Sequence, residues 1–207
     1  MEGRAVADHK RLAAQQGAWL CLEDEAGQTL RSPRGRTWGR KGHTPIVSLP
    51  VKGTGRVSIA GLIATRPDTP QARPRLIYRL RTHRGRKGER RGFSEADYAA
   101  LLDAAHQQLG GPIVVVWDNL NTHTSAEMRR LVAARPWLTV FYLPAYAPEL
   151  NPVEGVWAHM KKSLANLAMR TVDQLVALVK NRLKRMQYRP TLVTGFLAKT
   201  GLDFQPP

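Results

Sequence analysis

The chain has 207 residues and a formal net charge of +16, with 32 Lys and Arg against 16 Asp and Glu. The length suits one domain with a buried core, and a hydrophobic fraction of 43% excludes a disordered chain. The single cysteine, Cys21, excludes an intrachain disulfide framework or zinc cluster. The charge favours nucleic acid as a partner, although a basic structural protein would have the same balance.

The chain is expected to have no membrane partner. Its longest apolar run, residues 113–117, is too short to span a bilayer. The first residues carry no apolar stretch of the kind that a secretory signal needs. We therefore expect a cytoplasmic protein.

The first half of the chain predicts one helix followed by strands. Residues 1–17 are polar and predict a helix without a core of its own, which we interpret as a linker. A strand is predicted over 18–25, where the two-residue period places Asp24 on the same face as the two leucines of that segment. Gly27 predicts a turn after it. Further strands are predicted over 47–49, 56–65 and 75–81.

The second half alternates helices with strands. After a basic loop, Ser94 is a good N-cap for a helix that Gly110 ends. Pro152 is expected at the first position of a later helix, and no element is predicted after Pro190. The pattern is a mixed α/β layer arrangement. The other predicted elements are a buried central strand over 113–117, a helix over 125–134, a strand over 138–143 and a helix over 172–186.

Three acidic residues stand out by their local context. Asp24 lies in Leu-Glu-Asp-Glu at the end of a predicted strand, and Asp118 directly follows the buried strand. Open α/β sheets place their sites at such carboxyl ends. Glu154 lies in the first turn of a helix. Each also has a purely structural explanation: a solvated strand end for Asp24, turn chemistry for Asp118, and a capping box with Asn151 for Glu154.

The segments around these acids resemble the catalytic domain of the mariner-like superfamily of DDE-type transposases, in particular its bacterial insertion-sequence branch. The strongest similarity is Leu-Pro-Ala-Tyr-Ala-Pro-Glu-Leu-Asn-Pro-Val-Glu-Gly-Val-Trp-Ala-His-Met-Lys, residues 143–161. Val-Trp-Asp-Asn-Leu-Asn-Thr-His, residues 116–123, is similar to the segment around the second acid of the family. Leu-Glu-Asp-Glu, with Thr37-Trp38 and residues 42–45, is similar to the first.

The resemblance implies an α/β fold of the ribonuclease H-like type, a mixed sheet flanked by helices. It assigns Asp24, Asp118 and Glu154 as catalytic carboxylates and as ligands of two Mg²⁺ or Mn²⁺ ions. The last two acids are separated by 35 residues, close to the usual spacing of the family. Residues 18–189 would form the catalytic domain, and residues 190–207 a C-terminal tail.

The activity implied by the resemblance is metal-dependent DNA cleavage followed by strand transfer. Its partners would be transposon ends and target DNA, bound by a homodimer at the nucleoid of a bacterial cell. Family members usually carry helix-turn-helix domains before the catalytic domain. Residues 1–17 would then be a linker, or the remnant of a missing or separately encoded recognition half. The sequence departs from the family at Ala145, Ala147 and Glu149, where proline, serine and aspartate are common.

Other polar residues near the acids are candidates for auxiliary or DNA-binding roles. Glu25, Asn119 and His123 are auxiliary candidates, and His123 could orient a phosphate or a water, or be a capping or surface histidine. Candidates for phosphate contacts are Arg34, Arg36, Arg40, Lys41, Lys161 and Lys162. The alternatives left open are an inactive DNA-binding remnant, a ribonuclease H-like nuclease with another nucleic-acid substrate, and a basic structural protein.

Overall fold

A five-stranded mixed sheet forms the centre of the fold. The computed structural model describes residues 2–43, 45–46, 55–69, 71–143 and 148–201, and the side chains of these except for residues 2–7 and 148. The strands are β1 (Trp19–Thr29), β2 (Arg56–Thr65), β3 (Arg75–His83), β4 (Ile113–Trp117) and β5 (Leu138–Tyr142). The helices are α1 (Glu2–Gln15), α2 (Glu95–Leu109), α3 (Asn121–Thr124), α4 (Ala126–Ala133), α5 (Val153–Ser163), α6 (Val172–Gln187) and α7 (Pro190–Lys199).

The strand order is β3-β2-β1-β4-β5. The first three strands pair antiparallel as a meander, whereas β1 pairs parallel with β4, and β4 parallel with β5. Parallel neighbours need a long crossover, which β2, β3 and α2 provide between β1 and β4, and α3 and α4 provide between β4 and β5. This arrangement confirms the predicted α/β class, a ribonuclease H-like mixed sheet flanked by helices.

Each face of the sheet is covered by its own apolar cluster. Leu20 and Leu22 of β1 point to the face that α5, α6 and α7 cover. Trp19 and Cys21 alternate with them and point to the opposite face, which α2 and α4 cover. Because side chains alternate along a strand, the acids that follow divide in the same way: Asp24 continues the leucine face, whereas Glu23 and Glu25 continue the other.

The prediction of a turn at Gly27 was wrong, and with it the placement of Asp24 at a strand end. Strand β1 continues to Thr29, and Gly27 pairs with Ser58 of β2. A Cβ at Gly27 would lie 2.1 Å from a guanidinium nitrogen of Arg56, so a side chain there would displace the end of the flexible Arg56 side chain. Asp24 therefore lies inside a long strand, and β1 extends beyond its neighbour β4.

The predicted helices are present, with shifted ends. Helix α2 has the Ser94 cap and a left-handed Gly110, with φ 69°. Helix α5 begins at Val153, so that Pro152 is its N-cap and not its first residue. The segment after Pro190, for which no element was predicted, forms α7, whose apolar side chains join the α5–α6 cluster. The predicted strand over 47–49 and residues 202–207 of the predicted tail lie outside the described residues.

No helix in the part of the chain that the structure describes is long and apolar enough to cross a membrane.

Candidate active site

Two of the three predicted acids lie level with each other on adjacent parallel strands. Leu22 of β1 pairs with Val116 of β4, so that Asp24 and Asp118, two residues further on in each strand direction, continue the same register. Asp118 is the first residue after β4 and has an exposed side chain, with 54% relative accessibility. Asp24 is mostly covered by α5. The residue that follows the end of β4 is therefore level with a residue in the middle of β1.

Helix α5, which carries Glu154, is attached to β1 by a buried asparagine. The Asn151 side-chain amide donates to the backbone oxygen of Glu23 at 2.9 Å, and its oxygen accepts from the Val153 N–H at 3.1 Å. One side chain therefore satisfies a strand carbonyl and an N–H at the start of the helix. This attachment brings Glu154, in the first turn of α5, to the strand segment that contains Asp24.

The charges of the three acids are only partly compensated. Burial, followed by the negative charges of Glu154 and Asp118, raises the pKa of Asp24 to about 7, although hydrogen bonds from Trp157 and the Glu25 backbone act in the opposite direction. Among the described residues, no Lys or Arg forms an ion pair with Asp24, Asp118 or Glu154. The site thus concentrates carboxylate charge on one side of the sheet.

His123 orients Asp118. Its Nδ1 lies 2.9 Å from Asp118 Oδ1, and the Leu120 N–H donates to the same oxygen at 3.1 Å. The hydrogen bond from His123 lowers the pKa of Asp118, and the bond from the Leu120 backbone contributes to the shift. The imidazole is stacked on Trp117, with ring centroids 4.2 Å apart and an interplanar angle of 5°. His123 is thus neither a surface histidine nor a helix cap.

Sequence analysis missed Glu23, which is 1% exposed and lies behind His123. Its Oε2 is 3.6 Å from His123 Nε2, and neither carboxylate oxygen has a hydrogen-bond partner within the described part of the chain. Burial raises the pKa of Glu23 well above its ordinary value, with contributions from Asp24 and Asp118. Glu23, His123 and Asp118 form a continuous chain of polar groups that runs from the core to the surface.

Two predicted auxiliary residues have structural partners. Glu25 faces α2, where its Oε2 accepts from the Tyr98 hydroxyl at 2.5 Å, so it lies on the opposite sheet face from Asp24. Asn119 donates to the Leu143 backbone oxygen at 2.9 Å and ties the end of β4 to the end of β5. The first contact joins β1 to α2, and the second holds the segment that follows Asp118. The alternation of side chains along β1 is the sequence signal that places Glu25 and Asp24 on opposite faces of the sheet.

The predicted basic residues lie on two exposed segments that contact each other. Four of them belong to the extended segment after β1, and two to the end of α5. Asn166, with φ 60°, joins the segments: its amide donates to the Gly35 oxygen at 2.8 Å, and its oxygen accepts from the Gly35 N–H at 3.1 Å. The residues concerned are Arg34, Arg36, Arg40, Lys41, Lys161 and Lys162.

The donor set suits a hard divalent cation. Carboxylate oxygens are the ligands that Mg²⁺ prefers, and the raised pKa of Asp24 reflects a negative charge that a cation would relieve. Within the described residues, no three His, Cys, Asp or Glu side chains are grouped closely enough to hold one ion together. The geometry brings the acids to one side of the sheet and leaves them spread out there.

Residues 88–176 match the family model described as DDE superfamily endonuclease. The matched stretch contains Asp118 and Glu154, whereas Asp24 lies before it. Comparison with curated proteins found no sequence match.

Solved structures with a similar fold include complexes of the Mos1 transposase. The paired-end complex with the left transposon end has a TM-score of 0.59 at 16% identity, over 99% of this chain and 61% of that one. The mariner Mos1 paired-end complex with Mg has 0.61 at 14% identity, over 97% and 60%. The Mos1 strand transfer complex has 0.56 at 17% identity, over 97% and 61%. The chain spans less than two thirds of those chains, and at these identities the likeness shows the fold.

Proposed function

We propose that this chain is the catalytic domain of a transposase that cleaves DNA and transfers the cut strand. The single observation that carries the proposal is the register of β1 with β4, which brings Asp24 level with Asp118, while Asn151 attaches the helix of Glu154 to the same strand. The match of residues 88–176 to an endonuclease family and the fold shared with Mos1 complexes support this reading.

In this proposal Asp24, Asp118 and Glu154 hold divalent ions, which supply charge neutralisation and activation of the attacking oxygen. His123 keeps one oxygen of Asp118 fixed, and the basic segments hold the DNA backbone. In the first step, water attacks a phosphorus and the bond to the 3′ oxygen breaks, leaving a 3′-hydroxyl. In the second step, that hydroxyl attacks a target phosphodiester, so one bond forms as another breaks.

Finer features of the proposal rest on the resemblance and on structures with a similar fold. Mos1 complexes have been solved with Mg and with Mn, which supports either metal, and we propose two ions. We also propose a homodimer on paired DNA ends, a separate recognition half, and an origin in a bacterial insertion sequence, with the protein at the nucleoid. Residues 18–189 remain our proposed catalytic domain.

The decisive experiment is cleavage of supercoiled plasmid with Mg²⁺ or Mn²⁺. We expect nicking by the wild type, and loss of nicking in Asp118→Ala and Glu154→Ala on the order of a thousandfold, because an ion ligand is removed. Glu127→Ala, which removes an exposed acid paired with Arg130, is the matched control and should cleave normally. Equal cleavage by the wild type and all variants would contradict the proposal.

The plasmid assay, together with a DNA-binding measurement and a panel of nucleic-acid substrates, separates the alternatives. An inactive remnant would bind DNA without metal-dependent cleavage, even when a recognition half is supplied. A ribonuclease H-like nuclease of another type would prefer an RNA–DNA hybrid or a branched junction over transposon-end DNA. A basic structural protein would lose nothing when Asp118 is changed.

DNA binding is expected to weaken steeply with salt. Phosphates that are neutralised by Lys or Arg release counterions, so log K falls as log salt rises. Each lost contact should make this negative slope shallower by about 0.9. Arg34→Ala and Arg36→Ala should each show this change in a fluorescence anisotropy titration. Arg130→Ala, whose guanidinium is already paired with Glu127 at 2.9 Å, is the control and should keep the wild-type slope. A flat salt response in the wild type would contradict a backbone-binding role.

A further inference from the structure

Trp157 contacts the first acid directly. Its indole N–H donates to Asp24 Oδ2 at 2.9 Å, and the side chain is only 1% exposed. Trp157 lies three residues after Glu154, on the same side of α5. A single turn of helix thus carries one acid of the site and the hydrogen-bond donor that holds another.

A glycine in the neighbouring strand leaves room for this contact. Gly61 of β2 pairs directly with Asp24, and a Cβ at Gly61 would lie 2.8 Å from Cη2 of Trp157. The outer ring of the indole therefore occupies the space beside Gly61 that a side chain would fill, and its N–H reaches the carboxylate on the next strand. Core packing alone would need the ring but not its N–H.

We propose that Trp157 is a positioning residue, which fixes the Asp24 carboxylate relative to Glu154 so that the two can share bound cations. The inference rests on the proposed function. The hydrogen bond occupies one oxygen of Asp24 and restricts rotation of the carboxylate, which leaves the other oxygen in a defined direction. Hydrogen-bond partners of metal ligands typically change metal affinity by about 10–100-fold when removed.

The test is Mn²⁺ binding by the full chain, measured by calorimetry in Trp157→Phe. Phenylalanine keeps a buried aromatic ring but lacks the N–H and the outer part of the indole, a loss of ring volume that the control below shares, so we expect Mn²⁺ affinity to fall by about tenfold or more. Trp19→Phe is the matched control. It removes another buried indole bond, to the Leu109 oxygen at 3.2 Å, at the opposite end of the sheet, and should leave Mn²⁺ affinity unchanged at a similar cost in melting temperature.

The outcomes distinguish this inference from the function on which it rests. If the wild type binds no Mn²⁺, the proposed function fails and the inference with it. If the wild type binds Mn²⁺ and Trp157→Phe binds it equally well, only the positioning role is overturned. Gly61→Ala gives an independent test in case Trp157→Phe does not fold. Its added methyl displaces the ring, so weaker Mn²⁺ binding supports the role and wild-type affinity contradicts it.

Discussion

Asp24→Asn is expected to make the metal-free protein more stable at pH 8, while it abolishes cleavage. In the wild type, burial and the nearby Glu154 raise the pKa of Asp24 to about 7, so ionisation above that pH works against the fold. Asparagine is neutral at every pH, and its side-chain oxygen can still accept the Trp157 hydrogen bond. We expect a gain of about 1–2 kcal/mol, or roughly 2–8 °C in melting temperature for a chain of this size.

The contribution of Asp24 to stability should decrease as the pH rises. Between the ordinary pKa of an aspartate, 3.8, and about 7, the folded state of the wild type holds a proton on Asp24 that the unfolded state releases. The contribution of Asp24 to stability is therefore fully present at low pH and is lost as the pH rises toward 7. Asp24→Asn should lack this component when melts are recorded from pH 4 to 8.

Added metal should reverse the order of the two proteins. A ligand present at 100 times its dissociation constant stabilises the fold by about 2.7 kcal/mol, so Mg²⁺ should raise the wild-type melting temperature and leave Asp24→Asn nearly unchanged. Asp173→Asn is the control, because Asp173 pairs with Arg84 and its loss should not stabilise. An Asp24→Asn protein that is less stable than the wild type at pH 8 without metal would contradict the charge argument.

His123→Ala is expected to destabilise the fold by about 3 kcal/mol and to reduce cleavage strongly. The imidazole fills the space between Trp117 and Tyr98, with centroids 4.2 and 4.6 Å away, so its removal leaves a cavity. Asp118 loses the hydrogen bond that orients it, and the buried Glu23 loses its nearest polar neighbour. Urea unfolding at pH 7 measures the first effect, and the plasmid assay measures the second.

His106→Ala is the matched control for this change. His106 also stacks on a tryptophan, Trp137, at 4.0 Å, and its Nδ1 lies 3.0 Å from the backbone oxygen of Gly111. It contacts no acid of the candidate site, so its variant should lose less stability and cleave normally. If the two variants lost the same stability and both cleaved DNA as the wild type does, His123 would have no role in orienting Asp118.

Local patterns predicted the strands and most helices, together with the side of β1 that Asp24 occupies. The errors arose where one residue type serves two purposes. Gly27 is a turn former by composition, but it pairs with Ser58 inside a strand, and the end of the Arg56 side chain occupies the space beside it. Helix α7 did have a signal, since Pro190 and the spacing of Val193, Phe196 and Leu197 are typical of an amphipathic helix.

The sequence allowed us to select the three acids of the candidate site, but not the side chains that contact them. Motif resemblance and strand-end position selected Asp24, Asp118 and Glu154, whose roles remain a prediction. In the sequence, Glu23 looks like one more acid at a strand end. Its burial is visible only in the structure, where His123 stacks on Trp117 and lies next to the Glu23 carboxylate. Trp157 reads as a core residue, because its contact with Asp24 depends on a glycine nearly 100 residues earlier.

The order of the acids along the chain has a consequence during synthesis. Strand β2, one partner of β1, follows it in the chain, whereas the parallel partner β4 begins more than 90 residues after the start of β1. Helix α5 follows β5, and α7 then packs on it, where a Cβ at Gly155 would lie 2.8 Å from the Phe196 ring. Because chains emerge from the ribosome N-terminus first, a nascent or stalled chain holds Asp24 and Asp118 without Glu154. The proposed cutting activity therefore arises only when translation of the domain is nearly complete.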